Sequence, residues 1–236
     1  MKTKVLFIGS IGVVAETSEL QRQAYNQALE ENGVDWNWNK EVYKRLLQRS
    51  GGQDRLDMLA VATGQSLSQS TIEKIHARKT ELACELVKEQ VSGPRAGVAE
   101  MIQEAKADGV KVAWVTTTGQ ENTDAILHAC GDNIKAEDFD HIFHRLDAVK
   151  GKPHPDIYFE ALKHFDVRSE ECIAIEDSLN SILAAKGAEI FTVATLGDYH
   201  DEHVDNIADV VLDSLSDTDW AKLKTELQAN TYNEVA

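Results

Sequence analysis

The stretch Cys172-Ile173-Ala174-Ile175-Glu176-Asp177-Ser178-Leu179-Asn180 decides the fold of this 236-residue chain. Its first four residues form an apolar run of the length of a buried strand, and helical apolar spacing follows Ser178. A strand that turns directly into a helix is the repeating unit of a covered parallel sheet. Glu176 and Asp177 therefore stand where ligands collect in such sheets, beyond the carboxyl end of a strand.

The same alternation extends along the rest of the chain. Apolar runs predict further strands at 5–8, 110–115, 141–143, 190–194 and 210–212. Helical patterns are predicted over 98–105, before Gly131, after Pro155, and from Ser178, the expected N-cap, to Gly187. These patterns predict an α/β protein in which helices cover both faces of a parallel sheet.

Residues 17–88 interrupt the alternation, because they contain helical patterns and no good strand. The last and longest pattern carries its apolar residues at Ile72, Ile75, Leu82 and Leu86. An all-helical insert directly after the first strand predicts a cap over the strand ends. We therefore predict a core domain of residues 1–16 and 89–236 and a helical cap domain of residues 17–88.

Composition excludes several classes of partner. The net charge of −16 disfavours nucleic acid and anionic membrane surfaces, and no apolar run is long enough to span a bilayer. The N-terminal residues do not resemble a signal peptide. The three cysteines are odd in number and far apart, which is typical of a reduced cytoplasmic compartment. The oligomeric state stays open.

Polar side chains follow several of the predicted strands, and together they favour phosphate chemistry. Thr116 and Thr117 follow the second strand and can donate hydrogen bonds to phosphoryl oxygens. Lys152 can neutralise developing negative charge, and Glu176 and Asp177 can supply oxygen ligands to Mg²⁺. The pattern predicts a phosphate and metal site at the carboxyl edge of the sheet.

Two longer motifs carry a family resemblance. Gly151-Lys152-Pro153-His154-Pro155-Asp156-Ile157-Tyr158 and Ile175-Glu176-Asp177-Ser178-Leu179-Asn180, in this order, resemble the haloacid dehalogenase (HAD) superfamily, and its CbbY and β-phosphoglucomutase-like branch in particular. The similarity covers essentially the whole chain. It implies a HAD-type, Rossmann-like three-layer α/β/α core with a C1-type helical cap inserted after the first strand.

The first motif of that family is degenerate in this chain. The family pattern is Asp-x-Asp-Gly-Thr/Val, and the aligned residues are Gly9-Ser10-Ile11-Gly12-Val13. The resemblance implies that position 9 should hold the nucleophile that forms an aspartyl phosphate, and position 11 the acid–base aspartate. Neither carboxylate is present, so the standard mechanism is expected to be impaired, with Gly9 and Ile11 as vestigial catalytic positions.

The resemblance also implies roles for residues of the cap and for cofactors. Glu16, Gly52, Gln53 and Arg55 match segments that meet substrate in this branch, and the expected ligand is a small phosphorylated metabolite such as a sugar phosphate. A Mg²⁺ site at Glu176 and Asp177 is expected to be weak or absent, because position 9 lacks its carboxylate.

Three functional interpretations remain open at this point. The first is a phosphatase-like protein that has lost its standard mechanism and retains phosphosugar binding. The second is an active HAD-like hydrolase of phosphorylated sugars or other small phosphomonoesters that uses a non-standard nucleophile. The third is a nucleotide-binding Rossmann protein, suggested by Gly9 and Gly12 after a strand, although the full glycine fingerprint is missing.

Overall fold

A parallel sheet forms the centre of the molecule, and the computed structural model describes it within residues 2–49 and 51–233. Met1, Ser50 and residues 234–236, which belong to the predicted domains, lie outside the described residues. The strands run in the order β3-β2-β1-β4-β5-β6, and all their pairings are parallel. They are β1 (Val5–Ile8), β2 (Lys111–Val115), β3 (His141–Phe143), β4 (Cys172–Glu176), β5 (Phe191–Thr195) and β6 (Val210–Leu212).

Helices cover both faces of this sheet, as predicted. Along β1 the side chains alternate, so Leu6 and Ile8 face one apolar core while Val5 and Phe7 face another. The first core is closed by α5 (Val98–Ala107), α6 (Gln120–Cys130) and α9 (Trp220–Asn233), and the second by α7 (Asp156–Phe165) and α8 (Leu179–Gly187). The three-layer α/β/α core is therefore confirmed.

The insert after β1 consists of helices with an apolar core of their own. They are α1 (Ser18–Glu31), α2 (Lys40–Leu47), α3 (Gly52–Ala62) and α4 (Gln69–Gln90). Trp38, Tyr25 and Tyr43 stack at the centre of this core, with ring centroids of Tyr25 and Trp38 4.4 Å apart. We propose that residues 17–88 form a separate cap domain, and this independent core supports the division.

The observed elements differ from the predicted ones in strand bounds, in one helix cap and in one additional helix. Strands β2 and β5 begin one residue later than predicted, and β4 and β5 each extend one residue further. Ser178 occupies the N-cap position of α8, but its side chain makes no capping hydrogen bond. Helix α9 was not predicted, because over residues 220–230, where burial is described, its buried apolar residues are Trp220, Leu223 and Leu227 in a largely polar sequence.

Helix α9 is anchored to α5 by polar contacts as well as by burial. Trp220 is 3% exposed, and its indole Nε1 donates to Asp108 Oδ2 at 3.1 Å. Its backbone N–H donates to Glu104 Oε2 at 2.9 Å.

In the described part of the chain, no helix is long and apolar enough to cross a membrane.

Replacing Trp220 with alanine is expected to lower the free energy of unfolding by about 3–5 kcal/mol, because it empties a buried position and removes the indole hydrogen bond. Urea unfolding followed by circular dichroism measures the change. Phe159→Ala is the matched control, since Phe159 is 48% exposed on α7, and its effect should stay within about 0.5 kcal/mol. Equal effects of the two substitutions would contradict the packing of α9.

Candidate functional site

A cavity of about 980 Å³ lies between the carboxyl ends of the strands and the inserted helices. Every predicted site residue except Gly9 lines it, namely Ile11, Glu16, Gly52, Gln53, Arg55, Thr116, Thr117, Lys152, Glu176 and Asp177. The fold brings these residues together because the loops after β1, β2 and β4 meet at one edge of the sheet, beneath the helices of the insert.

The space in front of Gly9 is filled by a carboxylate from the neighbouring strand. Strands β1 and β4 pair with Ile8 opposite Ile175, and the Gly9 N–H donates to Ile175 O at 2.9 Å. Position 9 and Glu176 therefore lie side by side on the same face of the sheet. A Cβ atom added to Gly9 would collide with Glu176 Oε2. Any side chain at position 9 would require the Glu176 carboxylate to move.

Glu176 is held in this position by a buried polar cluster. Its Oε1 atom accepts a hydrogen bond from Lys152 Nζ and another from the Tyr158 hydroxyl, the latter at 2.5 Å. Lys152 Nζ also donates to Val115 O at 3.1 Å, at the end of β2. Lys152 and Glu176 are 5% and 1% exposed. Burial and the Glu176 charge raise the pKa of Tyr158 well above its usual range, so its hydroxyl stays protonated.

The oxygen atoms present do not fit a Mg²⁺ ion, which prefers a near-octahedral set of oxygen ligands. Glu176 Oε1 is occupied by Lys152 and Tyr158, and Gly9 contributes no carboxylate. Burial, followed by the charge of Glu176, raises the pKa of Asp177 well above its usual range and favours its neutral form. Over residues 2–49 and 51–233, no three His, Cys, Asp or Glu side chains are arranged to hold a metal ion.

The loop after β2 presents hydroxyl and amide groups to the cavity. Thr116 is 3% exposed, and its Oγ1 accepts a hydrogen bond from the Thr118 N–H at 3.1 Å. Its backbone N–H donates to Phe143 O at 3.0 Å, which fixes the end of β2 against β3. Thr117 and Lys152 line the same end of the cavity. This end carries the hydrogen-bond donors and the cation that a phosphate group needs.

Gly52, Gln53 and Arg55 lie on the wall formed by the inserted helices, whereas Glu16 lies near Asp177. Glu16 and Arg55 also have backbone partners. Glu16 accepts a hydrogen bond from the Ser18 N–H at 2.9 Å and another from the Asp198 N–H at 3.1 Å. Arg55 Nε donates to Arg49 O at 2.9 Å. These contacts fix the two charged groups at the rim, and Gly52 and Gln53 lie beside Arg55 at the start of α3.

Sequence reasoning missed three further residues of this wall, Tyr25, His76 and Lys79, which also line the cavity. Burial, followed by the charge of Lys79, lowers the pKa of His76 to about 4, so its ring is neutral near pH 7. The sequence did contain a signal for Lys79. It lies at the gap in the apolar series of α4, four residues after Ile75 and three before Leu82.

Comparison with known proteins identifies the family and the fold. The family model described as haloacid dehalogenase-like hydrolase matches residues 4–189. The protein CbbY of Cereibacter sphaeroides is 38% identical over 208 residues, which are 87% of this chain and 90% of that protein. The crystal structure of a CbbY mutant from Rhodobacter sphaeroides, in complex with xylulose-(1,5)bisphosphate, superimposes with a TM-score of 0.84 at 36% identity, covering 91% of this chain and 95% of that one.

A more distant structure shares the fold. β-Phosphoglucomutase from Clostridium difficile has a TM-score of 0.83 at 19% identity, covering 98% of this chain and 100% of that one. The likeness therefore extends over the inserted helices as well as the sheet.

Replacing Lys152 with methionine is expected to lower the free energy of unfolding by about 3–5 kcal/mol, because it leaves the Glu176 carboxylate buried without its cation. The double variant Lys152→Met/Glu176→Gln should recover a large part of this loss. Urea unfolding measures both changes. Lys163→Met is the matched control, since the Lys163–Glu160 pair (3.5 Å) is exposed, and it should change stability by about 0.5 kcal/mol or less. A double variant no more stable than Lys152→Met would contradict the ion pair.

Proposed function

The chain belongs to the haloacid dehalogenase-like hydrolase family, in its CbbY-like branch, and on this premise we propose that it binds a phosphorylated sugar without hydrolysing it through an aspartyl phosphate. One observation carries the proposal. The Glu176 carboxylate, held by Lys152 and Tyr158, fills the space in front of Gly9 where the nucleophile of the family motif would stand.

The size of the expected rate loss is the chemical argument against turnover through an aspartyl phosphate. Without a side chain at position 9 there is no carboxylate to attack phosphorus, and the aliphatic Ile11 cannot carry a proton to the leaving group. Removing a nucleophile lowers a rate by a factor on the order of 10⁶, or ~8 kcal/mol of transition-state stabilisation. The hydroxyls of Thr116 and Thr117 and the ammonium of Lys152 stabilise charge, and they do not replace that attack.

The argument for binding is that the cavity keeps donors at both ends. Thr116, Thr117 and Lys152 supply donors at the sheet edge, and Arg55 supplies a cation on the cap wall. A phosphorylated sugar, with a charged group and several hydroxyls, suits a cavity of this size and polarity. The CbbY mutant from Rhodobacter sphaeroides was crystallised with such a compound, xylulose-(1,5)bisphosphate. Mg²⁺ is proposed to bind weakly or not at all.

The native protein is expected to show negligible Mg²⁺-dependent hydrolysis of small phosphomonoesters, measured as phosphate release from a panel of sugar phosphates. Gly9→Asp/Ile11→Asp should raise the rate at least about 100-fold above native, because it restores a nucleophile and a proton carrier. Gly9→Asn/Ile11→Asp is the matched control, since asparagine has the shape of aspartate without its nucleophilic oxygen. Native turnover of about 1 s⁻¹ or faster would contradict the proposal.

Replacing Thr116 with valine is expected to weaken binding of xylulose-(1,5)bisphosphate and of inorganic phosphate by about 10–100-fold, because a hydrogen bond to a charged group contributes about 1.5–3 kcal/mol. Isothermal titration calorimetry measures the affinities. Thr225→Val, at an exposed position of α9, is the control and should leave them unchanged. Failure of the native protein to bind either compound at millimolar concentration would argue against a phosphosugar function.

A further inference from the structure

Lys79 of α4 is a buried lysine that faces the cavity without an ion pair. It is 7% exposed and lies on the cap wall. Its Nζ donates to Gln21 Oε1 and lies 4.8 Å from the centroid of the Tyr25 ring. No carboxylate in the described part of the chain forms a salt bridge with it. Its direct contacts are therefore one neutral acceptor and one aromatic ring, and Arg55, Cys84 and Glu121 act on the amine electrostatically.

The position of Lys79 in α4 is one that a helix normally fills with an apolar side chain. Ile72, Ile75 and Leu82 are 2%, 0% and 4% exposed and belong to the core of the inserted helices. Lys79 continues the same helical stripe. Burial of an unpaired ammonium is unfavourable, so a lysine here does not serve the stability of the fold. Its place at the cavity wall indicates a role in a reaction instead.

The surroundings of Lys79 favour the neutral, nucleophilic amine. Burial, followed by the positive charge of Arg55, lowers the pKa of Lys79 to about 7. The contrast with Lys152 is direct, because Lys152 is bonded to a carboxylate and to a backbone carbonyl. A desolvated lysine beside another cation is the usual form of a lysine that attacks carbonyl carbon.

The aromatic ring next to the Lys79 amine belongs to Tyr25, a side chain that can donate a proton. The Tyr25 side chain lines the cavity, and its buried hydroxyl has the Arg55 guanidinium as a polar neighbour. Burial raises the pKa of Tyr25, with Arg55 acting in the opposite direction, so the hydroxyl stays protonated.

We propose that Lys79 forms a Schiff base with the carbonyl carbon of a small phosphorylated aldehyde or ketone in the cavity, and that the Tyr25 hydroxyl donates the proton to the carbonyl oxygen. The Nζ lone pair attacks carbon, and the C=O π electrons move to oxygen. Both hydrogens of the amine and the carbonyl oxygen then leave as one water molecule, and Tyr25 regains its proton. The carbon keeps a C=N bond to Lys79, and no oxidant or reductant takes part.

Reductive trapping tests the proposal. The native protein is incubated with glyceraldehyde 3-phosphate and sodium cyanoborohydride near pH 7, and the labelled lysines are mapped by peptide mass spectrometry. Cyanoborohydride delivers hydride to the imine carbon and leaves a stable secondary amine. Lys74, exposed on the same helix, is the internal reference. We expect Lys79 to be labelled at least about tenfold faster than Lys74, because ordinary lysines are almost fully protonated at this pH. Equal rates would overturn the proposal.

The pH profile gives a second readout. Labelling of Lys79 should rise through about pH 7 and then level off, and the profile of Lys74, recorded in the same samples, serves as the reference. The titratable and charged groups facing Lys79 are Tyr25 of α1, Arg55 of α3, His76 and Cys84 of α4, and Glu121 of α6. A profile of Lys79 that follows that of Lys74 would contradict a neutral amine in the cavity.

Three variants distinguish imine formation from effects of charge and of folding. Lys79→Arg keeps a long basic side chain that cannot form an imine, so labelling at this position should be lost. Lys79→Met should lose labelling and melt at a higher temperature than the native protein at pH 7, because a buried unpaired amine is removed. Tyr25→Phe keeps the ring beside Nζ and should slow labelling about tenfold. Labelling of Tyr25→Phe at the native rate would exclude the hydroxyl from the reaction.

The Schiff-base proposal rests on the proposed function, because both use the same cavity. Two further experiments distinguish failure of the Schiff base from failure of the phosphate site. Unphosphorylated glyceraldehyde should label Lys79 more slowly than its phosphate ester, and glycerol 3-phosphate, which has no carbonyl, should protect Lys79 by competition. If both aldehydes label Lys79 and glycerol 3-phosphate does not protect it, the Schiff base is supported and the phosphate site is rejected. Calorimetric binding of glycerol 3-phosphate without any labelling of Lys79 would keep the phosphate site and reject the Schiff base.

Discussion

The arrangement of this site depends on one constraint, the need of a buried carboxylate for partners. Glu176 is almost inaccessible to solvent, and a carboxylate in that position is stable only if its charge is compensated. Lys152 and Tyr158 supply the compensation, and they join the end of β4 to the loop before α7 and to α7 itself. Because Lys152 also bonds to Val115 at the end of β2, the cluster connects strands on either side of β1. The glycine at position 9 leaves the room that the cluster occupies.

This arrangement explains how a family framework can persist around a changed first motif. A vacancy in a protein interior loses the contacts of the atoms that line it, and here the neighbouring carboxylate takes the vacant space. The ion pair is then part of the architecture of the sheet edge. The cavity above it stays open, because its walls are built from the loop after β2 and from the inserted helices, which do not depend on position 9.

The sequence predicted the sheet, the insert and the gathering of the site residues, because strand and helix periodicities and strand-end motifs are local patterns. It did not predict α9, whose three buried apolar residues mean little without the sheet face they cover. It could not place Glu176 beside Gly9 either, since that contact needs the register between β1 and β4. Lys79 was missed for a related reason. A lysine in a helix is ordinarily read as solvated, and only the packing of α4 shows that this one lies on the buried side.

The two buried lysines show that the surroundings of a side chain, rather than its residue type alone, determine its reactivity here. Lys152 is bonded to a carboxylate, whereas Lys79 has no such partner among the described residues and its pKa is lowered to about 7. The distinction bears on how a chain with a net charge of −16 can hold an anionic ligand. The overall field repels a phosphate, so binding must come from cations at short range inside a cavity, where solvent screens them less. On the proposed function Arg55 meets that requirement whatever the state of Lys79, whereas the charge of Lys152 is offset by Glu176. A neutral Lys79 is then free to act on the uncharged part of the ligand, its carbonyl group, between the two charged ends of the cavity.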